Sequence, residues 1–215
     1  MFQVDTKCPL GCFILWQRKG NFAMKRKKKF KQPLFPVRPE DQKLFDACQT
    51  LNYQRIMAAI QAGGDVNALN SRHELAVIDV LADAAGVPEY RNDAVMQKNV
   101  LKIITQLLTL GAKPDGATCD DTPLHKFSWT LYDWSVCSEL IRSGAKINRV
   151  LNERMTALDF VAEEIMFLET TDEEDRAADL TKLENLYTQM VRHGALHYNE
   201  LQEKHEKYYE KTKKI

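Results

Sequence analysis

Apolar residues recur at helical spacing in four stretches of the chain, and each stretch stops at a glycine followed by a small residue: AIQAGGDVN at 59–67, LLTLGAKPD at 107–115, LIRSGAKIN at 140–148 and QMVRHGALHY at 189–198. The stripes are Ile56 and Ile60; Val100, Ile103, Ile104, Leu107 and Leu108; Cys137, Leu140 and Ile141; and Leu183, Leu186, Tyr187, Met190 and Val191. Steps of three and four residues put each set on one face of an amphipathic helix of three or four turns. A glycine just past the last turn takes the positive φ that helix ends commonly require, without a Cβ penalty. Beyond it the chain runs extended through DVNALN, KPDGAT and KINRVLN, long enough for a tight protruding turn. A second apolar helix follows, clearest in DTPLHKF at 121–127 and MTALDFVAEEI at 155–165.

The boundary glycines 63, 111, 144 and 194 are 48, 33 and 50 residues apart. In TPLH, Thr122 is suited to cap a helix, Pro123 to open its first turn and Leu124 to enter the core. His125 is expected to hydrogen-bond neighbouring loop backbone. A 33-residue interval together with TPLH resembles the ankyrin repeat. The resemblance covers roughly residues 41–198 and implies an all-α, ankyrin-like helix-turn-helix solenoid with short β-turn fingers. Departures are visible in the letters. The second and fourth units carry AVID at 76–79 and TALD at 156–159 in place of TPLH, and they exceed 33 residues by 15 and 17. The extra length is expected between the two helices of each unit, around 86–94 and 169–179. The third unit has Phe127, Trp129, Tyr132 and Trp134 in a short turn where the family has small residues. These rings either fill an enlarged unit or present an aromatic anchor.

Charge divides the chain. Its net charge of +0 conceals ten Lys/Arg against Asp5 and Glu40 in residues 1–40, which leaves +8 there and −8 on the remainder. Residues 1–40 read as a flexible basic arm, with Lys25, Arg26, Lys27, Lys28, Lys29 and Lys31 as candidates for nucleic acid or an anionic membrane. Met24 is a second candidate start, in which case CFILW at 12–16 needs no function. That stretch is too short for a membrane span and has the wrong charge order for a signal peptide. The five cysteines are odd in number and scattered, which favours a reducing, cytoplasmic setting. Residues 199–215 form a charged terminal segment with Glu200 to Lys204 and Glu203 to Lys207 at helical pairing distance, expected to be a capping helix or tail.

Chemistry-bearing motifs are sparse. GxSxG, HExxH, GxGxxG, a P-loop and paired CxxC are all missing from the sequence. His193 and His197 lie four apart, but Gly194 between them is expected to turn the two imidazoles to different faces. Neither a metal nor a cofactor is expected, and the chain is expected not to be an enzyme. The resemblance implies instead a monomeric adaptor or regulator, of bacterial type, that binds another protein with its fingers and inner helices. The finger positions are Asn70, Ser71, Arg72 and His73; then Thr118, Asp120 and Asp121; then Asn152, Glu153 and Arg154. Lys126 and Trp129 continue that surface along an inner helix. Two alternatives remain open: polyanion binding through the basic arm, and a secreted effector acting inside a host cell.

Overall fold

Every boundary glycine ends its helix with the same pair of hydrogen bonds. Gly63 N–H donates to the Ile60 carbonyl at 2.9 Å and Gly64 N–H to Ala59 at 3.1 Å. The pair recurs at Gly111 and Ala112, at Gly144 and Ala145, and at Gly194 and Ala195. All four glycines have positive φ, between 87 and 100°. A Cβ at Gly111, Gly144 or Gly194 would meet nothing within 4 Å, so these positions exclude other residues through backbone strain alone. The next residue is small for another reason, since Ala112, Ala145 and Ala195 are buried.

The structure, a computed structural model, describes residues 35–117, 121–151, 154–171 and 176–212, with the side chains of the last helix described as far as Glu206. Its helices are α1 (Pro39–Gln49), α2 (Tyr53–Gln61), α3 (Val77–Ala85), α4 (Ala94–Thr109), α5 (Pro123–His125), α6 (Trp134–Arg142), α7 (Ala157–Thr170), α8 (Arg176–Arg192) and α9 (Tyr198–Thr212). A 3-10 turn, Pro88–Asn92, precedes α4, and a π-helical turn, Lys126–Thr130, continues α5. First helices pack on first helices, α1 on α3, α3 on α5 and α5 on α7, while α2 packs on α4 and α4 on α6. Between the layers lie Leu44, Ile56, Ile78, Leu81, Ile103, Ile104, Leu107, Leu124, Leu140 and Leu158, all fully buried. Each such side chain contributes about 2 kcal/mol of transfer free energy, which makes this seam the main source of cohesion.

Polar residues start the helices, among them Thr122, the cap expected from TPLH. Asn52, Asp93 and Asp133 cap α2, α4 and α6 by accepting backbone N–H bonds. Thr122 accepts from His125 N–H at α5, and Thr156 forms a reciprocal capping box with Asp159 at α7. The extra length of the second and fourth units goes largely into helix rather than into projecting loops. Helix α4 has 16 residues and α8 has 17, against 9 each in α2 and α6. In the last helix, only Tyr198 and Leu201 are half-buried among the side chains described.

Two recurring side-chain bonds close the repeat. In α1, α3 and α7 the third residue reaches the loop that follows its own helix pair. Asp41 accepts from Asp65 N–H at 2.9 Å, Asp79 from Ala117 N–H at 2.7 Å, and Asp159 from Tyr198 N–H at 3.0 Å. AVID and TALD therefore keep this closure with an aspartate where TPLH has histidine. The residue four beyond each of the first three boundary glycines then ties one loop to the next. Asn67 donates to Gly111 O and accepts from Lys113 N–H, and Asn148 donates to Gly194 O and accepts from Leu196 N–H. Asp115 accepts from Lys146 N–H at 2.9 Å but, as a carboxylate, has no donor to offer. Asp115→Asn supplies that donor, so stability in urea titration should rise by about 0.5–1 kcal/mol. No gain would mean that the Gly144 carbonyl is satisfied in another way.

Candidate functional site

The first finger is a tight hairpin. Leu69 bridges Ala76 in antiparallel fashion, and Asn70 N–H donates to Leu75 O at 2.9 Å. The Asn70 carboxamide oxygen accepts from Arg72 N–H and Glu74 N–H. Arg72 and His73 are exposed and Ser71 half-exposed, with Arg72 and Glu74 forming a 4.0 Å surface pair of small energetic weight. In the third finger Arg154, also exposed, has φ 60° and donates its N–H to Leu151 O. Asp121 is half-buried at the base of the second finger. Thr118, Asp120, Asn152 and Glu153 lie outside the described residues, as do Lys25, Arg26, Lys27, Lys28, Lys29 and Lys31 of the arm.

Beside the fingers, successive first helices present a row of contacts. Lys126 pairs with Asp83 across from α3. Trp129 stacks on Phe160 of α7, with ring centroids 5.4 Å apart and planes 22° apart. Trp129 is half-buried, and its indole N–H has no hydrogen-bond partner. The π-helical turn explains both placements. Leu131 N–H bonds back to Lys126 O, a step of five residues. This widened turn seats Phe127, fully buried, against Tyr90, and carries Trp129 to the neighbouring helix. The aromatic turn mainly fills the core, since Phe127 and Tyr132 are buried; Trp129 retains an accessible part.

On the far side from the fingers, the three departures from regular repeat meet. Tyr90 donates its hydroxyl to Asp133 at 2.5 Å. Arg91 lies over the Tyr132 ring at 3.8 Å, donates to Thr130 O at 2.8 Å and pairs with Asp179 at 3.4 Å. Lys182 donates to Arg91 O at 2.9 Å, and Tyr132 donates to Glu164 at 2.7 Å. The 3-10 turn, the aromatic turn and the α7–α8 pair thus lock together across three units. Nothing in the sequence pointed to Arg91, Tyr90 or Asp133. The residues four beyond Gly63, Gly111 and Gly144 did carry a visible signal, a recurring Asn or Asp.

Buried titratable groups belong to packing. Burial pushes the Cys48 thiol up to about 12 and the Cys137 thiol well above its ordinary value, which suppresses the nucleophilic thiolate. His193 sits 5.0 Å from the Trp134 ring, whereas His197 contacts Asp159 at 2.6 Å and Tyr187 at 2.9 Å, so the two imidazoles do diverge. Among the described residues, no group of three or more His, Cys, Asp or Glu is placed to hold a metal ion. None of the described helices is long and apolar enough to cross a membrane.

His125 is fully buried, and its Nδ1 lies 2.6 Å from the Thr122 hydroxyl. Burial, helped by the Arg149 cation and opposed by a backbone hydrogen bond of Arg149, holds its pKa down to about 4. The unfolded chain takes up a proton near pH 6.5 that the native chain refuses, so stability is lost as pH falls from there to about 4. The loss amounts to about 3 kcal/mol. Asp79 works in the opposite sense, since burial raises its carboxyl pKa and favours the native state in acid. The His125 contribution is therefore read as the difference between the protein and His125→Gln in urea titrations from pH 7 to pH 4. That difference should shrink steadily toward acid, and a constant gap would show that His125 is not buried neutral.

Helix pairs ended by glycine, a capped TPLH opening and hairpin fingers between successive pairs fix the architecture. The fold is an ankyrin-repeat stack. No protein-family model and no curated protein matches the chain. Among solved structures, the human ASB11 ankyrin repeat domain is similar to it with a TM-score of 0.42 and 16% sequence identity, over 65% of this chain and 52% of that one. This chain spans about half the length of that domain.

Proposed function

We propose that this ankyrin-repeat chain is a non-enzymatic adaptor or regulator that binds a partner protein on the face shared by its fingers and first helices. The observation that carries the reading is the row Asp83, Lys126, Trp129 and Phe160, where an ion pair and an aromatic stack lie side by side on consecutive first helices. A half-buried tryptophan that keeps an accessible part of its ring is the kind of residue that dominates binding energy at protein interfaces. Arg72, His73, Asp121 and Arg154 extend the same face along the fingers. Support for a non-enzymatic role comes from the thiols of Cys48 and Cys137, which burial renders inert, and from His197, whose ring bonds anchor Asp159 and Tyr187. Free buried thiols at Cys48 and Cys137 suit a reducing cytoplasm.

Site-specific photo-cross-linking tests this. A photoreactive residue at Trp129 should capture a defined protein, and one at Val95, 81% exposed on α4, should not. Reversing Arg72, Asp121 and Arg154 together should weaken the captured complex at least tenfold. Capture from Val95 alone, or a complex indifferent to all three reversals, rejects this face.

A further inference from the structure

Phe35 lies on the first finger. Its N–H donates to Ser71 O at 2.8 Å, and its ring stacks on His73 with centroids 4.0 Å apart and planes 16° apart. The finger beneath is rigid, because Asn70 accepts two backbone N–H bonds with its side chain and His73 N–H closes onto Asn70 O at 2.8 Å. His73 is thereby held at φ 55°, a conformation unfavourable for a residue with a Cβ, and its ring is presented outward. Among the described residues no finger precedes this one, and its flank is met by Phe35 instead.

The contact has the two elements that extended-peptide recognition uses, a main-chain hydrogen bond, here to the Ser71 carbonyl in the finger's turn, and a side chain seated beside it. Pro36 restricts Phe35 to the extended conformation that such pairing needs. The contact is also slight. Phe35 remains 42% exposed, and one hydrogen bond with one ring pair biases the seat by only about tenfold. Beyond it the chain is firmly held, since Val37 packs on the core and Arg38 grips Asp41 with two bonds of 2.7 Å. Exchange at Phe35 therefore leaves the repeats intact.

We propose that this flank of the first finger is a docking site for an extended partner segment carrying an aromatic side chain, and that Phe35 is its intramolecular occupant. This rests on the partner-binding reading of the same face and names the partner's chemistry. An incoming ring on His73 displaces Phe35, which stands four residues after the end of the basic cluster at Lys31. Engagement of the finger and release of the arm's root are then one event.

The full-length chain carrying Phe35→Ala, observed by NMR, tests this with the synthetic peptide of residues 32–38, QPLFPVR, as probe. The peptide should shift the Ser71 and His73 resonances saturably, with an apparent affinity about tenfold higher than for the unaltered chain, where Phe35 competes. The same peptide with alanine replacing phenylalanine should do nothing to either protein. Equal binding to both proteins, binding to neither, or shifts confined to other surfaces would overturn the proposal. A concentration-dependent dimer of the unaltered chain, abolished by Phe35→Ala, would overturn the intramolecular assignment. His73→Gly gives an independent check, as it tolerates positive φ and should abolish the ring-current shift of the Phe35 protons; an unchanged shift also rejects the contact. Cross-linking at Trp129 reports separately on the wider face, so failure of the finger site and failure of the partner reading are distinguishable.

Discussion

Gly116→Ala should be the most damaging single substitution in the stack, lowering stability by about 4 kcal/mol, a large fraction of what holds a domain of this size together. Gly116 has φ 66°, and a Cβ there would stand 2.0 Å from Asp79 Oδ1 and 2.6 Å from its Cγ. A carboxylate could ordinarily swing aside, but Asp79 is fully buried and accepts from Ala76 N–H at 2.9 Å and Ala117 N–H at 2.7 Å. Moving it breaks charge-assisted bonds worth about 1.5–3 kcal/mol each, and the left-handed backbone adds about 1 kcal/mol. Gly111→Ala is the internal control. Its φ of 90° is equally unfavourable, yet its Cβ meets nothing, so it should cost only about 1 kcal/mol. Urea titration of the two variants decides the matter, and equal losses would show that Asp79 does not fill the space beside Gly116. The pair Asp79→Ala with Gly116→Ala should lose less than the sum of its parts by at least about 1 kcal/mol, because the first change removes what the second collides with.

Asp133→Ala should lower stability by about 3 kcal/mol, well beyond the loss of a helix cap. Asp133 is buried, caps α6 through Val136 N–H at 3.1 Å and accepts the Tyr90 hydroxyl at 2.5 Å. Loss of the cap accounts for about 1 kcal/mol, and the remainder comes from the fully buried Tyr90 hydroxyl left without an acceptor. Burial, with the Asp133 charge and hydrogen bond, raises the Tyr90 pKa, so the phenol stays protonated and always presents its donor. A double-mutant cycle with Tyr90→Phe should give a coupling of at least about 1 kcal/mol. A loss near 1 kcal/mol with no coupling would reduce Asp133 to a cap. Because Tyr90 belongs to the inserted 3-10 turn and Asp133 to the aromatic turn, this coupling also measures how firmly the second and third units are locked.

Much of the architecture is legible in single letters because it depends on local rules. A glycine is recognisable as a helix end since positive φ is a property of one residue, and all four boundary glycines end their helices by the same two bonds. Thr122 is recognisable as a cap because a short acceptor has to stand within three residues of the donor it satisfies. Helical stripes such as Val100, Ile103, Ile104 and Leu107 announce a buried face, which the structure confirms at each position. AVID and TALD depart from TPLH by lacking its histidine. The change is a substitution of equivalent reach, visible only once Asp79 and Asp159 are seen bonding the loop that their histidine counterpart faces.

Residues whose partners lie one repeat or more away follow a different logic. Arg91 is an ordinary surface letter until the fold brings Tyr132 beneath it and Asp179 beside it, 41 and 88 positions along the chain. Gly116 carries no more local signal than the boundary glycines, yet it is the tight one, because Asp79 arrives from 37 residues earlier. The extra residues around 86–94 and 169–179 are expected between the helices of their units, and among the described ones Pro88–Asn92 form a 3-10 turn while Glu169, Thr170 and Arg176–Asp179 belong to the ends of α7 and α8. Local backbone preference acts over a turn or two and is written residue by residue, so it established the repeat, its glycine punctuation and its caps. Contacts between units depend on which surfaces stacking brings together, so the interlock around Arg91, the seat of Phe35 on His73 and the alignment of Lys126 and Trp129 belong to the tertiary structure alone.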